Sequence, residues 1–367
     1  MARSRPRKRR RLCRAGGEGH DYLSGLSDDI LLDIASRLAT RHAVSFSLLS
    51  RRFRGLLAPF VRVDSVTVLD PTLPLPSYPG RHVLLRRLVF EPNNGFSVSA
   101  FRRLLDAATD RGLSELAIHL PRSTYLPRNV LSIPNLAVLS LDTCALPRWC
   151  PPACAHLRTL KLHRVNISRR MITAIFKAVP MLATLEMVYC TGLVGSCRVE
   201  SSAVRNLLFI SALEQREITL KLAGLTTVTL RTRSKVKMVK IQPAPKIRRA
   251  YLHIARPRTK LKFRIRPFLD AGTGLTCLTL RGVAVMLLSS EYKQTPKLAV
   301  TFEDLWILSL SLDFSNESQL CFLLKLLESC PNLKKLSLSV YNLWKKEGTL
   351  HRQILLITRR SFRRYHA

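Results

Sequence analysis

One apolar phrase, Leu-x-x-Leu-x-Leu with apolar variants, recurs along most of this 367-residue chain and narrows the folds open to it. It reads Leu85-Leu88-Phe90, Leu113-Leu116-Ile118, Leu136-Leu139-Leu141, Leu157-Leu160-Leu162, Leu182-Leu185-Met187 and Val204-Leu207-Phe209. It continues as Leu225-Val228-Leu230, Ile247-Ala250-Leu252, Leu275-Leu278-Leu280, Leu305-Leu308-Leu310 and Leu333-Leu336-Leu338. The middle residues follow one another at steps of 21 to 30 positions. Such self-similarity marks a stacked array, in which a unit too small to bury its apolar face completes its core against its neighbours. The Leu-x-Leu alternation calls for a short strand, because successive strand side chains point to opposite faces. Between phrases, segments 99–110 and 168–179 carry apolar residues at helical spacing. The expected core of the protein is an uneven α/β solenoid; an α/β arrangement with fewer stacked strands is the alternative.

Cys144 and Cys190 each stand three residues after a Leu-x-Leu or Leu-x-Met pair. A small buried side chain at that turn is the Asn/Cys slot of the leucine-rich repeat, which the array over 63–316 resembles. Segment 317–344 then reads as a helix, a Ser-Cys-Pro-Asn-Leu break and a strand. This block is similar to the FBD-type region of plant F-box proteins with leucine-rich repeats.

Segment 21–62 is of another kind. Ser27 is a candidate N-cap, and Asp28 and Asp29 fall in the first turn, where carboxylates suit the helix dipole. Ile30, Leu31, Ile34 and Leu38 recur at helical spacing. Thr40 can cap a second helix carrying Val44 and Leu48, and a third carries Phe53, Leu56, Leu57 and Phe60. Three short helices bury little surface alone, so such a unit calls for a partner. The string Leu26-Ser27-Asp28-Asp29, Ile30-Leu31, Ile34-Ala35-Ser36-Arg37-Leu38, Ala43-Val44 and Leu49-Ser50-Arg51-Arg52-Phe53-Arg54 resembles an F-box. It departs from that pattern at Ser27 and Ala39, which replace prolines, at Arg41-His42, and at Phe53, which replaces Trp. The resemblance implies docking to a Skp-type adaptor, and through it to a cullin, with Leu26, Ile30, Leu31, Ile34 and Leu38 as the contacts.

The formal net charge is +36. Residues 1–20 form a basic leader, read as disordered, whose cluster Arg7, Lys8, Arg9, Arg10 and Arg11 has the composition of a nuclear-targeting signal. Residues 345–367 form a basic C-terminal tail. Segment 218–269 holds fifteen Lys or Arg and no Asp or Glu. Within it Arg231, Arg233, Lys235, Lys237 and Lys240 alternate along a strand-like run, which would make one side continuously basic. That patch suits an acidic or phosphorylated protein segment. Nucleic acid is the less favoured reading, because only Tyr251, Phe263 and Phe268 interleave as stacking platforms. A solvated basic face with no dedicated ligand is the third.

No apolar run reaches the ~18 residues of a membrane span. Nine cysteines scattered over the chain suit reduced thiols, and the expected location is the nucleus, the cytoplasm or both. Phosphate-loop, dinucleotide, zincin and nucleophile-elbow motifs are missing. Cys150 and Cys154 make one zinc-type pair beside Cys144, His156 and His163, but no second pair follows, so neither metal nor cofactor is expected. With no catalytic motif found, the F-box resemblance implies a non-enzymatic substrate-recognition adaptor of an SCF-type ubiquitin ligase. The alternative is a protein- or nucleic-acid-binding repeat module with a degenerate F-box and no ligase role.

Overall fold

The computed structural model describes residues 22–38, 42, 45–46, 49–57, 62–73, 75, 77–78, 81–82, 84–93, 97–146, 154–193, 195–211, 215–232, 236–255, 262–264, 266–340 and 354–358. The apolar phrases become strands in register. β1 (Arg62–Val68), β4 (Leu84–Phe90), β5 (Glu115–Tyr125), β6 (Val138–Ala145), β7 (Thr159–His163), β8 (Thr184–Val188) and β10 (Asn206–Ile210) open a thirteen-stranded sheet. It continues through β12 (Thr227–Arg231), β14 (Arg249–Ile254), β16 (Cys277–Gly282), β17 (Ile307–Leu312), β18 (Lys335–Val340) and β19 (Ile354–Thr358). β2 (Ser77–Tyr78) and β3 (Arg81–His82) form a separate two-stranded ladder.

From β4 to β18 neighbouring strands are parallel and the phrases align residue for residue. Leu88, Leu116, Leu139, Leu160, Leu185, Leu207, Val228, Ala250, Leu278, Leu308 and Leu336 make one row of Cα partners. Phe90, Ile118, Leu141, Leu162, Met187, Phe209, Leu230, Leu252, Leu280, Leu310 and Leu338 make the other. Both rows are buried, and burial of this apolar surface is what ties each repeat to the next. β19 falls in the segment read as a basic tail; it pairs antiparallel with β18.

A second parallel sheet lies between consecutive strands of the first. β9 (Gly195–Glu200), β11 (Gln215–Lys221), β13 (Met238–Ile241) and β15 (Lys262–Arg264) take the order β15-β13-β11-β9. Cys197, Val199, Ile218, Leu220, Val239 and Ile241 face the same core as the large sheet's rows. Several repeats close with helices. α3 (Val98–Thr109) is capped by Ser97, whose Oγ accepts from Ala100 N, and α4 (Arg169–Ala178) by Ser168, whose Oγ accepts from Met171 N at 3.2 Å. α5 (Arg266–Asp270) and α6 (Ala284–Glu291) precede α7 (Glu317–Glu328), whose Asn316 cap and following strand β18 match the expected helix-strand block.

Chain exit from the large sheet uses one special slot. Thr143 (φ 54°), Arg164 (φ 52°), Tyr189 (φ 54°) and Gly282 (φ 67°) all occupy the second position after the second ladder residue, in the left-handed region. Cys144 and Cys190 follow at once and are buried, as the turn slot requires. Cys190 Sγ donates to Leu162 O at 3.2 Å. Burial pushes the thiols of Cys144, Cys190, Cys197 and Cys330 up from 9.0 to about 12. A folded chain thus keeps these protons where an unfolded chain releases them. Their contribution to stability is complete below about pH 9 and is lost as pH rises toward 12. Among the described cysteines of the native protein at pH 8, an alkylating reagent is expected to modify exposed Cys321 first and to reach the four buried thiols only after denaturant is added, as peptide mass mapping would show.

The helical unit is separate. Residues of 1–62 and 78–83 make one compact unit and those of 63–77 with 84–367 the other. In the first, α1 (Asp28–Arg37) and α2 (Arg51–Leu57) enclose a small core of Leu31, Ala35 and Phe53, against which Leu26, Phe46 and Leu56 pack. Phe46 and Phe53 stack at 5.0 Å. Ser50 Oγ accepts from Phe53 N at 3.0 Å and starts α2. Ser27 holds the N-cap position of α1, but its side chain makes no cap bond, and α1 stops at Arg37 with Leu38 already extended. Thr40, Val44 and Leu48, expected on a middle helix, lie outside the described residues, although His42, Ser45 and Phe46 are helical.

Candidate functional site

The first candidate surface is the outer side of α1. Of the five residues read as adaptor contacts, Leu31 is 1% exposed and belongs to the internal core with Ala35, four positions on. Leu26 is half-buried against that core. Ile30 and Ile34, also spaced by four, form the neighbouring stripe, which half-buried Leu38 follows just past the helix end: Ile30 is 49% exposed and Ile34 half-buried. An i, i+4 apolar stripe left open beside a filled one suits docking of a partner helix or groove. Arg52 fixes the start of α1. Its guanidinium donates to Ser24 O and Leu26 O at 2.7 Å each and pairs with Asp28 at 2.6 Å. The Arg51-Arg52-Phe53 string therefore supplies one residue that clamps the backbone before α1 and one that fills the core beneath it.

The second candidate surface is the solvent face of the large sheet. Side chains flanking the buried rows align across strands. One such row runs His119, Asp142, His163, Val188, Ile210, Arg231, His253 and Arg281. Its first half is internally paired. Asp142 pairs with Arg164 at 2.6 Å and lies 3.8 Å from His119. Glu186, two residues earlier on β8 and on the same face, takes Lys161 at 2.9 Å and His163 at 3.4 Å. Toward the end of the row, Arg231, Arg281 and the nearby Arg249 have no ion-pair partner among the described residues, and Arg281 Nε is buried without an acceptor.

The basic run read from the sequence divides differently. Arg231 closes β12 in the large sheet; Lys237 and Lys240 belong to the approach to β13 and to β13 itself, in the second sheet. Thr232 and Val236 are buried where the chain turns from one sheet to the other, so the alternation does not lie along one strand. Lys240 faces outward in register with Thr219 and, through it, Arg198. Arg198 and Lys221 both pair with Glu200, at 2.7 and 2.9 Å, and hold its carboxyl below the usual range. Arg233, Lys235 and the cluster Arg7, Lys8, Arg9, Arg10 and Arg11 lie outside the described residues. His253 and Arg281, which complete the row, were missed. Their signal was the repeat register: each is the residue directly after an apolar pair, Leu252 or Leu280.

Among the described residues no group of three or more His, Cys, Asp or Glu could hold a metal ion, and no helix is long and apolar enough to cross a membrane. Cys150 of the zinc-type pair lies outside the described residues.

Residues 101–264, from α3 to β15, match the family described as FBD-associated F-box protein At5g56370, LRR repeats. The F-box/LRR-repeat protein At5g02910 of Arabidopsis thaliana is 27% identical over 194 residues, a match covering 47% of this chain and 40% of that relative.

Proposed function

We propose, from the plant F-box/LRR family that both matches support, that this chain is a substrate-recognition adaptor of an SCF-type ubiquitin ligase. In this reading the N-terminal unit is a three-helix F-box that docks to a Skp-type adaptor and so to a cullin, and the repeat array holds a target protein, acidic or phosphorylated. The observation that carries it is the open stripe Ile30, Ile34 and Leu38 beside the filled stripe Leu31 and Ala35. Ile30, Ile34 and Leu38 make the adaptor contact, Leu26 lies at its margin, and Leu31 keeps the helix in place. The chain acts by proximity: a tethered target lysine gains effective concentration near a ubiquitin-charged enzyme, with no nucleophile from this chain.

Capture of a recombinant Skp-type adaptor by the full chain tests this. Ile30→Asp with Ile34→Asp is expected to weaken capture by at least about ten-fold, since each change puts a charge into an apolar contact. Capture that survives the double change, or that survives deletion of 21–62, overturns the reading. The uncapped Ser27 favours a second one, in which the F-box is degenerate and the repeats bind a protein or nucleic acid without a ligase. For localisation, Arg7 to Arg11 direct nuclear import; a fluorescent fusion carrying Ala at those five positions should lose nuclear signal, and an unchanged distribution removes the proposal.

A further inference from the structure

We infer that the solvent face of β12, β14 and β16 docks an extended acidic segment of a partner protein, with an apolar residue beside the acidic ones. This rests on the repeat array being the partner-binding part of the chain and is independent of adaptor docking. Arg231, His253 and Arg281 are consecutive Cα partners across the three strands. Strands spaced by ~4.8 Å put the backbones of Arg231 and Arg281 roughly 10 Å apart, the reach of three residues of extended chain. Two residues back toward the strand starts, Tyr251 stands between Thr229 and Thr279, and two further back Arg249 between Thr227 and Cys277. Three arginines, a tyrosine and threonine hydroxyls on a three-strand patch make donors for carboxylates.

The charge distribution decides where an acidic segment goes. Carboxylates on the β5 to β8 side of the face are already paired with Arg164, Lys161 and His163. A partner there would have to displace those contacts. Arg231, Arg249 and Arg281 have none to displace among the described residues. A carboxylate of the segment would instead accept from the outer N–H groups of the arginines, a charge-assisted arrangement that can be bidentate. Toward β10 and β8 the same row becomes Ile210 and Val188, with half-buried Leu208 one row away, so the neighbouring residue of the segment is apolar. A protein segment therefore fits better than nucleic acid: one tyrosine gives no stacking series, and an apolar strip has nothing to offer a phosphate backbone.

The test uses the full chain and a fluorescein-labelled peptide, Leu-Leu-Gly-Glu-Glu-Glu-Glu-Gly, read by anisotropy at about 150 mM salt, where long-range attraction to a basic protein is largely screened. Saturable binding is expected. Arg231→Glu, at an exposed position, should weaken it by about ten-fold or more, and Arg281→Gln should do the same with an unchanged circular dichroism spectrum. Lys240→Glu makes the same charge change on the other sheet and should alter it less than about two-fold. Replacing the peptide's glutamates by glutamine should abolish binding, and replacing its leucines by serine should weaken it. Absence of saturable binding, an equal loss in Lys240→Glu, or a single-stranded oligothymidine that binds more tightly and is displaced by none of these changes would overturn the inference. Failure here with adaptor capture intact removes only this site; loss of adaptor capture with peptide binding intact removes only the ligase reading.

Discussion

Gly282→Ala is expected to destabilise the repeat array by about 3 kcal/mol or more, read as a lower urea midpoint with an unchanged slope. Two costs act together. Gly282 has φ 67°, which an alanine adopts only with strain. A Cβ there would also stand 2.1 Å from Ile254 O, a backbone atom. That carbonyl cannot swing aside as a side-chain tip could, because it accepts from Val283 N at 2.9 Å in the ladder between repeats. Gly195→Ala separates the two costs. Gly195 has φ 79°, but nothing lies within 4 Å of its added Cβ. It should therefore cost only the conformational part, on the order of 1 kcal/mol. Equal losses for the two variants would show that the close approach at Gly282 plays no part. The same slot holds Thr143, Arg164 and Tyr189 in other repeats, so the left-handed turn belongs to the repeat and only the crowding is particular to Gly282.

That slot shows where the sequence was legible. Each apolar phrase named a strand, and the rows of Cα partners follow the phrases even where Ala250 or Val228 stands for leucine. Burial on one face sets the register, since a slip by one residue would turn every leucine to solvent. The second sheet was hidden for the same reason that the basic run misled. Its strands are short, and Val239 and Ile241 alternate with lysines that follow directly on the arginines after Leu230. A period of two runs from Arg231 to Lys237 although the chain changes sheets at the buried Thr232 and Val236. Periodicity reports alternation and carries no sign of which sheet receives it. In the helical unit the apolar stripe was visible, but its division into a filled row, Leu31 and Ala35, and an open row, Ile30, Ile34 and Leu38, depended on where Phe53 packs. That contact spans more than twenty residues and leaves no local mark.

Alternation also sets up the sharpest contrast the array offers, between two adjacent residues of β17. Leu308→Asp should unfold the C-terminal repeats, whereas Ile307→Asp should leave them intact. Leu308 is fully buried between Leu278 and Leu336, and an unpaired carboxylate there costs on the order of 4 kcal/mol or more. Ile307 is 41% exposed, with Cys277 and Lys335 as its Cα partners, so an aspartate meets water and a neighbouring cation. Because stacked repeats are held mainly by their nearest neighbours, the damage should not spread evenly. Hydrogen exchange is expected to show amides of β17, β18 and α7 losing protection in Leu308→Asp while those of β6 to β8 keep most of theirs. Uniform loss along the whole sheet would mean that the array folds as one cooperative block, with interfaces between repeats strong enough to carry a local defect from end to end. Loss in Ile307→Asp comparable to that in Leu308→Asp would contradict the assignment of the two faces on which the docking surface also depends.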